Sequence, residues 1–164
     1  MKINFFKKVN LLIMNLPSKI KVPIYRFFGM IIGNGTFISA NSLIDNPKLC
    51  SIGTNCFLNS GVGLYTGAGS ATITIKDNVW VGMGTKFICP THKIGPSTQR
   101  AGQQIYQPIL VENGCWIGAN VTVLPGVKIG KGCIIAAGAV VTCDCLENCL
   151  YAGVPAKIKK QLDP

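Results

Sequence analysis

The 164-residue chain sets sixteen Lys and Arg against six Asp and Glu, a formal charge of +10, and is 48% hydrophobic but only 13% charged, with 19 glycines. That balance excludes intrinsic disorder, which needs low hydrophobicity and high charge, and disfavours a helical bundle. One domain is the economical reading, and the surplus of cations points to an anionic partner: nucleic acid, a membrane face or a phosphorylated small molecule.

The chain opens MKINFFKKVNLLIMNLPSKIK, which has the outline of a signal peptide. Lys7 and Lys8 interrupt its apolar run, no small-residue cleavage site follows, and the uninterrupted stretch 10–16 is too short to span a bilayer. A cytoplasmic chain with reduced thiols is therefore expected, so the eight cysteines need not form disulfides. Across residues 1–28, Lys2, Lys7, Lys8, Lys19, Lys21 and Arg26 alternate with Phe5, Phe6, Leu11, Leu12, Ile13 and Phe27. Two readings stay open: a basic amphipathic helix resting on an anionic membrane, or a cap over the first turn of the fold that follows. The segment 1–30 is assigned as this N-terminal cap.

From Ile32 onward aliphatics recur at intervals of six: Ile32, Ile38, Ile44; Ile52, Leu58, Leu64; Ile75, Val81, Phe87; then Val111, Ile117, Val123, Ile129, Ile135 and Val141. A period of six matches neither the 3.6 of a helix nor the 2 of an ordinary strand, but fits a hexapeptide β-helix in which each repeat is a short strand and a turn. Three repeats close one triangular coil, so 31–150 holds about five coils in an all-β fold. Each aliphatic points into the prism, a small residue two places before it lies nearby, and Gly, Asn and Asp supply the corner conformations.

The same rhythm explains most cysteines. Cys56, Cys115, Cys133 and Cys145 fall on the small inward position. Cys143, Cys145 and Cys149 have the spacing of a metal motif, but Cys145 should face inward and its neighbours outward, so no metal site is assigned.

One break interrupts the period. After the Phe87 repeat comes His92, the only histidine, and the next in-register aliphatic is Val111. Residues 93–108, KIGPSTQRAGQQIYQP, are polar and without rhythm, which reads as an excursion loop leaving a rigid coil. A lone histidine in a loop is by default a solvated residue. Its place beside the single long excursion favours a chemical role.

The run CWIGANVTVLPGVKIGKGCIIAAGAVVTCDC (115–145), the tail YAGVPAKIKK (151–160) and THKIG (91–95) resemble the left-handed β-helix hexapeptide-repeat acyltransferases, nearest the galactoside/maltose and surface-polysaccharide O-acetyltransferases. The resemblance spans residues 30–160 and implies a left-handed parallel β-helix, a homotrimeric assembly, and acetyl-CoA as acyl donor with no metal. It places His92 as the general base that takes a hydroxyl proton and then protonates the departing thiolate, which an imidazole titrating near neutrality can do. No nucleophile set accompanies it, so direct transfer in a ternary complex is expected. By the same resemblance Asn59 and Trp116 bind acceptor, with Arg100 a further acceptor or phosphate contact. Trp116, Ala119, Ala137, Thr142 and Cys143 line the coenzyme A path, and Lys157 and Lys160 in the C-terminal tail (151–164) meet its phosphates. Ala119 stands where the sugar enzymes commonly have Ser, leaving only a backbone N–H there. In place of their acidic acceptor residue the chain has LYTGAGSATI (64–73), so acceptor identity does not carry over.

The expected function is an O-acetyltransferase acting on a sugar or surface-polysaccharide precursor, cytoplasmic or at the inner membrane face. An N-acetyltransferase on an amino-sugar nucleotide and a non-catalytic β-helix scaffold are the alternatives. A β-helix carbonic anhydrase, which needs three zinc-bound histidines, is excluded by the single one present. No nucleic-acid motif accompanies the charge.

Overall fold

The recurring aliphatics each lie in a strand of two or three residues, and these strands pair in parallel from coil to coil to make three sheets. The computed structural model describes residues 12–164. The first sheet joins β1 (Ile31–Ile32), β4 (Cys50–Ile52), β7 (Ile73–Ile75), β12 (Ile109–Val111) and β15 (Lys128–Ile129). The second runs β2 (Phe37–Ile38), β5 (Phe57–Leu58), β8 (Trp80–Val81), β13 (Trp116–Ile117), β16 (Ile134–Ile135), β18 (Cys149–Ala152) and β19 (Lys157–Gln161). The third stacks β3 (Leu43–Ile44), β6 (Gly63–Tyr65), β9 (Lys86–Ile88), β14 (Thr122–Val123) and β17 (Val140–Val141). This is a left-handed parallel β-helix of five three-sided coils.

The core is the set of inward rows. Ile38, Leu58, Val81, Ile117, Ile135 and Tyr151 sit in register down the second sheet and are all buried. Burying a row of such side chains contributes roughly 1.5–3 kcal/mol for each, which is how two-residue strands hold together. At the corners, Asn41, Asn55, Asn78, Asn120 and Asn148 all have φ between 51° and 58°, the left-handed region that asparagine tolerates.

At the N-terminal end α1 (Ser18–Phe27) lies against β1 and β2. Lys21 is fully buried there, its Nζ donating to the carbonyls of Met14 (2.8 Å) and Ser39 (2.7 Å). Desolvation lowers its pKa. Ser18 Oγ accepts the Ile38 N–H at 3.0 Å, so the helix occupies the open end of the first coil through hydrogen bonds as well as apolar contact. The part of the N-terminal expectation that falls on residues 1–11 lies outside the described residues. Within the described residues no helix is long and apolar enough to cross a membrane.

The excursion departs from expectation in extent and shape. It leaves after Cys89 and returns at Gln107, and it is a hairpin of β10 (Pro90–Ile94) and β11 (Ala101–Tyr106), where a loop over 93–108 was expected. His92 is thus the third residue of β10, paired with Gln104, and is not the last residue of the stack. Both faces of these strands meet solvent for most of their length, so no apolar alternation marked them.

Candidate functional site

The hairpin holds His92 away from the prism. Its register is Pro90–Tyr106, Thr91–Ile105 and His92–Gln104, with an irregularity before Ile94–Ala101. The imidazole is exposed and has no hydrogen-bond partner among the described residues. Arg100, predicted to meet acceptor or phosphate, lies at the hairpin tip: its Nη1 donates to Gly95 O at 3.2 Å, and its own carbonyl accepts the Gly95 N–H at 3.0 Å.

The hairpin base is seated on the loop that carries Gly67 and Gly69. Asp45 accepts from Thr66 N (2.9 Å), Thr66 Oγ1 (2.8 Å) and Gly67 N (2.9 Å), which fixes the start of that loop. The Tyr106 ring then lies over Gly67 and Gly69, and a Cβ at Gly69 would run into it. The absence of side chains at Gly67 and Gly69 is what lets Tyr106 settle there.

Asn59 and Trp116 come together elsewhere, on the outer face of the second sheet. A cleft of about 170 Å³ is lined by Phe57, Asn59, Trp80, Val81, Gly82 and Trp116. Asn59 Oδ1 accepts the Ser60 N–H at 2.7 Å, leaving its Nδ2 without a partner among the described residues. His92 is not in this lining: one chain by itself does not unite the predicted base with the predicted acceptor residues. Phe57 and Trp80 were missed from sequence, although each directly precedes an in-register aliphatic, as Trp116 does.

Beside Trp116 the coils approach closely. A Cβ at Gly118 would come within 2.5 Å of Ala137 N, so glycine sets the spacing at this corner. Ala119 and Ala137 sit on successive coils, joined by the Gly138 N–H to Ala119 O bond at 2.8 Å. Neither the Ala119 nor the Ala137 N–H has an acceptor among the described residues. Small side chains with free amide donors suit an amide-bearing chain and an acyl oxygen. Thr142 and Cys143 follow β17 and are exposed. The tail folds back as β19 against β18, pairing Lys157 with Ala152 and Lys160 with Leu150, and both lysines are exposed cations available to phosphate.

The bacterial transferase hexapeptide family (six repeats) matches residues 108–143. The chain is 31% identical over 130 residues to the galactoside O-acetyltransferase of Lactococcus lactis subsp. lactis, covering 68% of this chain and 63% of that protein. Against the galactoside O-acetyltransferase of Escherichia coli K12 it is 30% identical over 131 residues, covering 77% and 64%. Among solved structures, a hexapeptide-repeat-containing acetyltransferase of Vibrio cholerae O1 biovar eltor, complexed with acetyl coenzyme A, aligns with a TM-score of 0.86 at 29% identity, over 97% of this chain and 86% of that one. The chain belongs to the hexapeptide-repeat acetyltransferase family. It spans a little under two thirds of the length of these curated relatives.

Two further features of this hexapeptide-repeat chain bear on the site. A larger hollow of about 460 Å³ lies on the first sheet's last coil, among Glu112, Lys128, Lys131 and Asp144. Glu112 already bridges Lys76 (3.2 Å) and Lys128 (3.8 Å), and the hollow contains none of the predicted site residues. The cysteines are free thiols, and all but Cys143 are buried. Cys149, expected to face outward, is buried beneath β16, because the last turn is shorter than a full coil and brings Cys145 level with Ile129. Sγ of Cys56, Cys115 and Cys133 donates to the next coil, to the carbonyls of Lys76 (3.0 Å), Gly130 (3.1 Å) and Leu146 (2.8 Å). Among the described residues no group of His, Cys, Asp or Glu could hold a metal ion.

Proposed function

We propose that the chain transfers an acetyl group from acetyl-CoA to a hydroxyl of a sugar or surface-polysaccharide precursor. The observation that carries this reading is the presentation of the single imidazole, exposed and unpaired, on a hairpin seated against the rigid stack. A thioester donor supplies an activated acyl carbon. His92 takes the proton from the acceptor hydroxyl as its oxygen attacks that carbon, and the resulting imidazolium returns the proton to the sulfur as the C–S bond breaks. The Ala119 N–H is free to donate to the developing oxyanion, the role a serine hydroxyl would otherwise share. Trp116, Ala137, Thr142 and Cys143 line the donor's path, and Lys157 and Lys160 meet its phosphates. Asn59 and Trp116 hold the acceptor.

Because His92 does not line the cleft that contains Asn59 and Trp116, the working site takes a hairpin from a neighbouring copy in a homotrimer. Ile94 on the hairpin is 88% exposed in the single chain, an apolar tip suited to such a contact. Free, largely buried thiols suit a cytoplasmic protein.

The test is thiol release from acetyl-CoA with a panel of sugars, nucleotide sugars and amino sugars. His92→Ala should cut transfer by about 10²–10⁴-fold, the usual share of general acid–base catalysis. Transfer by the variant at the wild-type rate would remove His92 from the mechanism. Preferred acetylation of an amine would replace the hydroxyl acceptor with an amino sugar.

A further inference from the structure

The second sheet carries a column of aromatic side chains of which transfer to a single small sugar uses only one end. Phe37, Phe57, Trp80 and Trp116 occupy one rung on β2, β5, β8 and β13, in register. Phe37 and Phe57 stack with centroids 5.5 Å apart and planes 9° from parallel, while Phe57 and Trp80 are 5.5 Å apart and tilted by 38°. Stacking stops between Trp80 and Trp116, and there the Asn59 cleft opens. With parallel strands ~4.8 Å apart, four rungs extend ~14 Å, longer than one sugar ring. The rings are open to solvent: Phe37 is 46% exposed, Trp80 60% and Trp116 59%.

A second column runs beside the rings, two residues further along each strand: Ser39, Asn59, Gly82 and Gly118. It offers a hydroxyl and an amide next to Phe37 and Phe57, and glycines that leave the indoles uncrowded. Neither column contains a charged residue. A lipid chain or an apolar helix would gain nothing from the polar row. A pyranose has an apolar C–H face and a rim of hydroxyls, and this pairing of rings with short polar groups answers both.

We propose that the column is an extended acceptor subsite and that the acceptor is an oligosaccharide of at least two sugar residues. The reacting ring sits at the Asn59–Trp80–Trp116 cleft, and the following rings run over Phe57 and Phe37 toward the first coil. The inference rests on the acceptor reading of that cleft. It adds the length of the substrate and names Phe37 and Trp80 as specificity residues.

The chain's two tryptophans both stand in this column, so their fluorescence reports its occupancy directly. The probe is an array of defined glycans from mono- to tetrasaccharides, followed by fluorescence titration with those that bind. Glycans of two or more residues should bind about tenfold or more tighter than the matching monosaccharides, from one or two added ring contacts. Phe37→Ala should erase that advantage of length, and Phe37→Trp should keep it. Affinity independent of length, no binding anywhere on the array, or equal weakening of short and long glycans by Phe37→Ala would overturn the proposal. So would loss of the native oligomer in Phe37→Ala by sedimentation, which would make the column a contact between copies. His92→Ala separates the two readings: it should cut transfer by about 10²–10⁴-fold yet keep length-dependent binding, so either can fail without the other.

Discussion

Phe87 and His92 are five residues apart and belong to opposite regimes. Phe87 lies in the stack, between Leu64 on the coil before and Val123 on the coil after, and is completely buried. His92 lies on the hairpin, exposed, with only backbone pairing to Gln104 to place it. In the stack each side chain is held by neighbours above and below, so position and stability come together. The hairpin gains little apolar burial of its own and takes its placement at its base, where Tyr106 rests on Gly67 and Gly69 with Pro90 beside it against Gly67. A repeating stack makes a stiff base, and the interruption is where a side chain can meet something other than its own fold.

Three measurements would break or sharpen that contrast. The largest effect should be on the stack: Phe87→Ala should cost about 3–5 kcal/mol in denaturant unfolding, as removal of a fully buried aromatic does, while His92→Ala should stay within about 0.5 kcal/mol of wild type. Similar losses for the two would mean that the hairpin is part of the cooperative core. Next comes the seat. Tyr106→Ala should lower acetyl transfer about tenfold or more through misplacement of His92, with little change in donor binding. An unchanged kcat would show that the hairpin is positioned by something else, such as a neighbouring copy.

The smallest effect is on the thiols. Burial pushes Cys115 and Cys145 up to about 12 and Cys89 up to about 11, with the nearby Asp45 carboxylate adding to the last. At pH 8 these groups stay protonated as well as inaccessible, so a disulfide reagent should modify Cys143 alone in the native protein and the other seven only after unfolding. Fast reaction of a second thiol would place a weak point in the stack.

Much of this architecture was legible because the repeat is local. The aliphatic every six residues, the asparagines at the corners and the cysteines that fill small inward positions can all be read one hexapeptide at a time. The hairpin was legible as an interruption but not in its limits, since Thr91 to Ile94 and Gln103 to Tyr106 carry no apolar alternation to mark them as strands. Cys149 was misplaced for a related reason: the final turn shortens, and counting by six then drifts out of step with the coil below.

The candidate site divides along the same line. The chain's own letters determined its coil geometry, its one imidazole and the small residues Ala119 and Ala137 beside Trp116. Only the tertiary structure decided that Phe37, Phe57, Trp80 and Trp116 form a single column, since they are separated by 20, 23 and 36 residues and align only after insertions of different length are absorbed at the corners. It also decided that His92 stands apart from the cleft that holds Asn59. The physical reason is that the period is written in neighbouring residues, whereas register between coils depends on which backbone groups pair across them, and each insertion resets that count.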